Sequence, residues 1–231
     1  MSIFDSFLEY SFIPMYGVTL FLALWRYPMY YNSRLKFFPV LIAYTLISEI
    51  LGFLVRDYDN FSLFLNDLFR NYTWVIFNIY NIVFFYFFYY VFWYHLKKPW
   101  HRIYLLSGMA VVGFGSIYNA QISSFLYESQ IFAYLAGGVV LIGAILIYLY
   151  NHAKEEGRFF DVGDLLSWLC LGMLFFYSGY LPIKIIRYYN TIYQINDNPI
   201  IRRVHLSLIL LMYALFAIGF LRMDRRNRKV A

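Results

Sequence analysis

The residues that could do chemistry in this chain are few, and they sit inside long apolar runs. Glu49 stands in TLISEILGFL, Asn78 and Asn81 three residues apart in FNIYNIV, Asn119 in SIYNAQ, and Lys184 and Arg187 in LPIKIIRYY. His205 follows Arg202 and Arg203 at the start of another apolar run. An ionisable group at the centre of a membrane-spanning helix costs about 2.5–3.5 kcal/mol on insertion scales, so each one needs a reason. A carboxylate set against two cations, with amides and an imidazole nearby, can recognise a charged or zwitterionic ligand. In that reading Glu49, Lys184 and Arg187 supply charge, while Asn78, Asn81, Asn119 and His205 supply hydrogen bonds. The plain alternative is that Glu49 pairs with one of the cations and the amides tie helices together, at about 0.6–2 kcal/mol each. Arg187, Arg202 and Arg203 are also long enough to reach lipid headgroups with their stems in the acyl region.

Other chemistry is poorly supplied. His95, His101, His152 and His205 form no HExxH pair and no local metal-ligand spacing, and no GxSxG, P-loop or dinucleotide fingerprint occurs. Cys170 is the single cysteine, so neither an internal disulfide nor a thiolate cluster can form. No metal, cofactor or catalytic group is therefore expected.

The elements that must position these residues follow from composition. Of 231 residues, 62% are hydrophobic, 24% aromatic and 14% charged. Soluble domains carry roughly 25% charged residues, so a water-soluble globule is excluded, and so much apolar surface excludes disorder. The net charge of +6 forms no basic stripe, and no nucleic-acid partner is expected. Seven runs approach the roughly 20 apolar residues that a spanning helix needs. They cover about residues 10–25, 37–55, 72–94, 103–121, 130–150, 165–186 and 204–221. The expected fold is an all-α, polytopic membrane protein, a seven-transmembrane-helix bundle forming one domain over 1–231, with the lipid bilayer as its first partner. The start of the chain lacks the basic stretch of a cleavable signal peptide, so the first helix is expected to be retained.

Lys and Arg favour cytoplasmic loops. Thirteen of the 19 cations fall on the side of the second, fourth and sixth helix starts and the carboxyl terminus, and six on the other. The amino terminus is therefore expected outside and the carboxyl terminus in the cytoplasm, with the chain in the cell inner (plasma) membrane. All the candidate site residues then fall in the outer half, whereas the inner half is closed by runs such as FFYFFYYVFWY and LFAIGFL. Residues 60–70 show an amphipathic stripe and are expected to lie as a short helix on the outer surface. The segment NTIYQINDNP, ending at Pro199, is expected as the last outer loop. Pro182 is expected to interrupt the sixth helix near the site, and Pro14 either to kink the first helix or to mark its first turn. Glycines such as Gly108, Gly137, Gly138 and Gly143 read as close helix packing. The tail RMDRRNRKVA reads as a topology anchor at anionic headgroups, and could also meet a cytoplasmic partner.

Seven helices with an outside amino terminus resemble rhodopsins and receptor-type proteins, although the seventh helix has no lysine for a retinal Schiff base. The patterns SEI, NIYNI and FFYSGY, with a histidine opening the seventh helix, resemble a family of small uncharacterised bacterial seven-helix inner-membrane proteins. That family would place an acidic residue soon after NIYNI, where this chain has Val83. The resemblance implies no agreed activity. Three functions fit the residues: a receptor-like or sensory protein with a membrane or cytoplasmic signalling partner, an accessory subunit of a larger membrane complex, and a small-solute transporter.

Overall fold

A computed structural model describes residues 3–57, 73–122, 125, 128–196 and 198–224. Among these residues the regular structure is entirely helical. The helices are α1 (Ile3–Trp25), α2 (Phe38–Asp57), α3 (Thr73–His95), α4 (Pro99–Ile122), α5 (Ile131–Glu156), α6 (Leu165–Ile192) and α7 (Pro199–Arg222), with two short 3-10 turns between α1 and α2. All seven are long and apolar enough to cross a membrane. The expected surface helix at residues 60–70 and the basic tail from Arg225 lie outside the described residues.

Several ends depart from the hydropathy runs. The helix α1 begins at Ile3, so Pro14 lies in its interior and the first-turn reading is excluded. The helix α6 continues past Pro182 to Ile192. The expected loop from Asn190 to Pro199 accordingly shrinks to the residues after Ile192, because Asn198 caps α7 through its side chain onto the Ile200 amide and Pro199 occupies the first turn. A proline there costs nothing, since the first-turn amide has no helical partner to lose. Helix α6 starts on a stronger cap: Asp164 accepts from the Leu166 and Ser167 amides, from the Ser167 hydroxyl and from the Tyr148 hydroxyl of α5. Helix α5 stops at Gly157, whose φ of 72° is the left-handed conformation that ends helices.

Each helix packs on its sequence neighbours, α7 closes the ring on α1, and α3 also touches α5. The side of the ring remote from the core carries large apolar groups in the open: Phe114 is 73% exposed, Phe21 66% and Val40 65%. A protein surrounded by water does not tolerate apolar area on that scale. At the end where α1 stops and α2 starts, cations lie over exposed rings, with Arg26 on Trp25, Arg34 on Tyr94 and Lys36 on Phe37. Aromatic rings mixed with cations are the chemistry of a membrane–water interface.

The core of that half of the bundle is aromatic. Phe38, Phe85, Phe88, Phe92, Phe216 and Phe220 are almost completely buried. Helix α5 passes between α3 and α6 because Gly137 faces Phe85 while the adjacent Gly138 faces Leu181 and Tyr177. Tyrosines then bridge the helices by donating to main-chain carbonyls. Tyr89 donates to Gly137 O at 2.7 Å, Tyr86 to Met109 O at 2.8 Å and Tyr104 to Val140 O at 3.0 Å.

The Tyr104 bond exists because Gly143 leaves room above the carbonyl, and a Cβ at 143 would collide with the Tyr104 hydroxyl. Gly143→Ala is expected to destabilise the protein by about 1–3 kcal/mol, and the double variant with Tyr104→Phe is expected to regain part of that. Detergent- or heat-induced unfolding measures both; equal losses in the single and double variants would contradict this account of the contact.

Candidate functional site

One cavity of about 1010 Å³ occupies the end of the bundle where α1 starts and where α2–α3, α4–α5 and α6–α7 connect. All seven helices contribute to its wall. Six of the seven residues expected at a site line it: Glu49, Asn81, Asn119, Lys184, Arg187 and His205. They come from five different helices, so their shared cavity is a property of the packing.

Asn78 is the exception and corrects the expectation that it faces the site together with Asn81. It is buried, and its amide nitrogen donates to Phe125 O at 2.9 Å and Glu128 O at 2.8 Å. Its oxygen accepts from the Gln130 amide at 3.2 Å. An i, i+3 pair is about 60° apart around a helix, which here is enough to send one residue to the α4–α5 connection and the other to the cavity. Asn78 thus holds in place the segment whose Glu128 and Ser129 form part of the rim.

The cationic wall belongs to α6. Lys184 and Arg187 are three residues apart, on one face of the helix. The Lys184 ammonium lies 5.5 Å from the centre of the Trp74 ring of α3 and 5.4 Å from that of Tyr134 of α5, within cation–π range. The Arg187 guanidinium comes within 3.5 Å of His205 Nδ1 of α7. A guanidinium only donates, so a hydrogen bond here requires Nδ1 as the acceptor. The His205 ring is stacked on Tyr180, centroids 4.2 Å apart. Arg187 therefore turns inward rather than toward the headgroups, the alternative its length allowed. Arg202 and Arg203 are exposed, and Arg202 pairs with Glu9 at 2.9 Å.

The opposite wall is acidic and hydroxylic. Glu49 lines the cavity one helical turn beyond Thr45, in a wall that also holds Tyr16, Tyr80 and Tyr213. The hydroxyls of Tyr80, Tyr213 and Thr45 interact with one another. Tyr180 lines the cavity beside Arg187, stacked on His205. Below these groups the cavity meets Phe84, Phe176, Tyr177 and Met212 and then the buried aromatic core. The arrangement can hold charged and hydrogen-bonding groups at two separated poles with aromatic surface between them.

Sequence reasoning missed the tyrosines, Thr45 and Trp74. Twelve lining residues are aromatic, yet with 25 tyrosines and 25 phenylalanines in the chain no spacing marks those twelve. Pro182 lies on the exposed side of α6, while Lys184 after it points inward.

Replacing Asn78 by Ala leaves two part-buried carbonyls and the buried Gln130 amide without their partner. The unfolding temperature is expected to fall, at a cost of about 1–3 kcal/mol, with protease cleavage appearing near residues 125–130. Unchanged stability with no new cleavage would show that Asn78 does not hold that segment.

No family model matches the chain, and neither a curated protein nor a solved structure is detectably similar to it.

Proposed function

We propose that this is a receptor-like or sensory protein of the inner membrane, whose cavity takes a small charged or zwitterionic ligand from the extracytoplasmic side. The observation that carries the reading is the convergence of Glu49, Asn81, Asn119, Lys184, Arg187 and His205 on one cavity at one end of the bundle. Scattered structural polar groups would tie neighbouring helices in separate pairs. The orientation rests on the surplus of Lys and Arg at the opposite end, where rings and cations also mix.

A volume of about 1010 Å³ is at the upper end for small-molecule pockets. The buried rings of Phe38, Phe85, Phe88, Phe92, Phe216 and Phe220 lie beyond the floor, where the packing among the described residues is mainly aromatic. That favours binding over transport. Signalling needs two helix arrangements with different affinity for the ligand. Helix α6 is placed to supply them, because Lys184 touches rings of α3 and α5 while Arg187 touches His205 of α7. A ligand that recruits both cations alters the contacts of α6 with three neighbours, and a membrane or cytoplasmic partner reads the change.

Native mass spectrometry of protein taken from its own membranes is expected to show a bound small molecule, lost in Asn81→Trp, which fills the cavity. A bare wild-type protein, or an adduct that persists in Asn81→Trp, would sink the binding reading. Orientation is tested with the one native thiol already buried. A membrane-impermeant maleimide is expected to label Glu128→Cys on intact cells and Arg158→Cys only after permeabilisation; the reverse pattern would invert the topology.

A further inference from the structure

At the end of the bundle opposite the cavity, charge is divided by helix. The ends of α1 to α4 that meet there carry Arg26, Arg34, Lys36, Lys97, Lys98 and Arg102, and no Asp or Glu occurs from residue 10 to 48 or from residue 68 to 127. The acidic residues of that end, Glu155, Glu156, Asp161, Asp164 and Asp224, belong to the end of α5, the α5–α6 connection and the chain after α7.

Among the cations of the basic half, Arg34 is fixed in both backbone and side chain while its donors stay open. It begins the 3-10 turn Arg34–Phe37, which packs on α3. Ser33 Oγ accepts from the Leu35 amide at 3.2 Å and donates to Tyr30 O at 2.7 Å, and Leu35 is buried. The guanidinium lies 4.0 Å from the centre of the Tyr94 ring and donates from Nη1 to the Tyr90 hydroxyl at 3.3 Å. A guanidinium has five N–H donors. The group is exposed, the two tyrosines engage only part of that set, and among the described residues no carboxylate pairs with it. Arg26 differs, since its donors go to Leu221 O and to the Met29 sulfur.

A cation that only sets topology needs charge near the membrane and no particular geometry. A guanidinium stacked on a ring, with part of its fork open, is instead preorganised for a phosphate. The face beside it indicates what carries that phosphate. Val83, Tyr86, Tyr90 and Tyr94 recur at helical spacing on the exposed side of α3, and Phe37 and Val40, around the start of α2, are also in the open. From Val83 to Tyr94 is about 16 Å along the axis, half of the roughly 30 Å apolar thickness of a bilayer. That stretch covers the depth of one leaflet and ends at the guanidinium.

We propose that Arg34, with Tyr90 and Tyr94, forms a headgroup site for an acidic phospholipid, its phosphate on the guanidinium and its acyl chains along the exposed face of α3. The surplus of cations on α1 to α4 selects a lipid of net negative charge, because the ammonium of a zwitterionic headgroup would be brought among like charges. The site lies outside the cavity and does not depend on what the cavity binds.

Native mass spectrometry of the full chain, delipidated in detergent and titrated with dioleoyl-phosphatidylglycerol or dioleoyl-phosphatidylcholine, tests this. The first phosphatidylglycerol is expected to bind about tenfold more tightly than the first phosphatidylcholine, as one charge-assisted bond allows. Arg34→Gln should weaken phosphatidylglycerol by about fivefold or more, while Lys154→Gln, which removes an exposed cation of α5 outside the site, should stay within about twofold. Should Arg34→Gln fail to fold, which circular dichroism reports, a phosphatidylglycerol with a photoreactive headgroup decides on the wild-type chain, where crosslinks are expected within residues 26–37 or 90–98. The proposal is overturned if the two lipids bind alike, or if Arg34→Gln costs no more than Lys154→Gln. Glycerol phosphate binding as tightly as the lipid, or crosslinks confined to other segments, would overturn it equally.

Discussion

Between apolar helices in an apolar surrounding, a polar group that does not find a partner inside the protein costs several kcal/mol. Most of this architecture can be understood as ways of meeting that demand with tyrosine. A phenol packs its ring like phenylalanine and still reaches a main-chain carbonyl, whose second lone pair is free after the helical bond is made. Tyr86, Tyr89 and Tyr104 donate to carbonyls of neighbouring helices in this way, and Tyr44 donates from α2 to Ile76 O of α3. Other hydroxyls, those of Tyr80 and Tyr213, meet Thr45 in the wall of the cavity. The same residue type therefore joins the helices in one half of the bundle and lines the cavity in the other.

Helix α6 connects packing to site chemistry. Its first turn is fixed by Asp164, which Tyr148 and Ser167 also engage. In its middle Cys170 and Met173 are completely buried. Its last turns carry the two cations, and each of these touches a different neighbour. The helix is thus anchored at one end and held at the other by weaker contacts: two ring faces and a 3.5 Å approach to an imidazole. A ligand has most to gain, and the packing most to lose, where contacts are of that kind.

Much of this was legible before any tertiary information. Seven apolar runs of about the right length gave seven helices, because the length of a spanning helix is set by its apolar stretch. Errors fell at the ends, where polar turns extend a helix beyond its apolar run: α1 gained residues before Tyr10 and α6 continued to Ile192. Glu49, Asn81, Asn119, Lys184, Arg187 and His205 were legible as candidates because ionisable and amide groups are rare in such runs. Asn78 looked the same in sequence and proved to be a clamp on the α4–α5 connection. Helical spacing specifies an angle around α3, and the neighbours of α3 specify what lies at that angle.

The sequence by itself determined the number of helices, the rarity of charge within them and the end of the bundle at which the polar groups collect. These depend on local properties, namely apolar length and the order of residues along each helix. Only the tertiary structure decided which polar groups share a cavity, that Lys184 lies between Trp74 and Tyr134, and that Arg187 turns toward His205 rather than outward. Each of those facts joins residues on different helices, and the rotation of one helix against another is set by packing over its whole length. In a chain this rich in tyrosine and phenylalanine, no local pattern marks which rings will face one another.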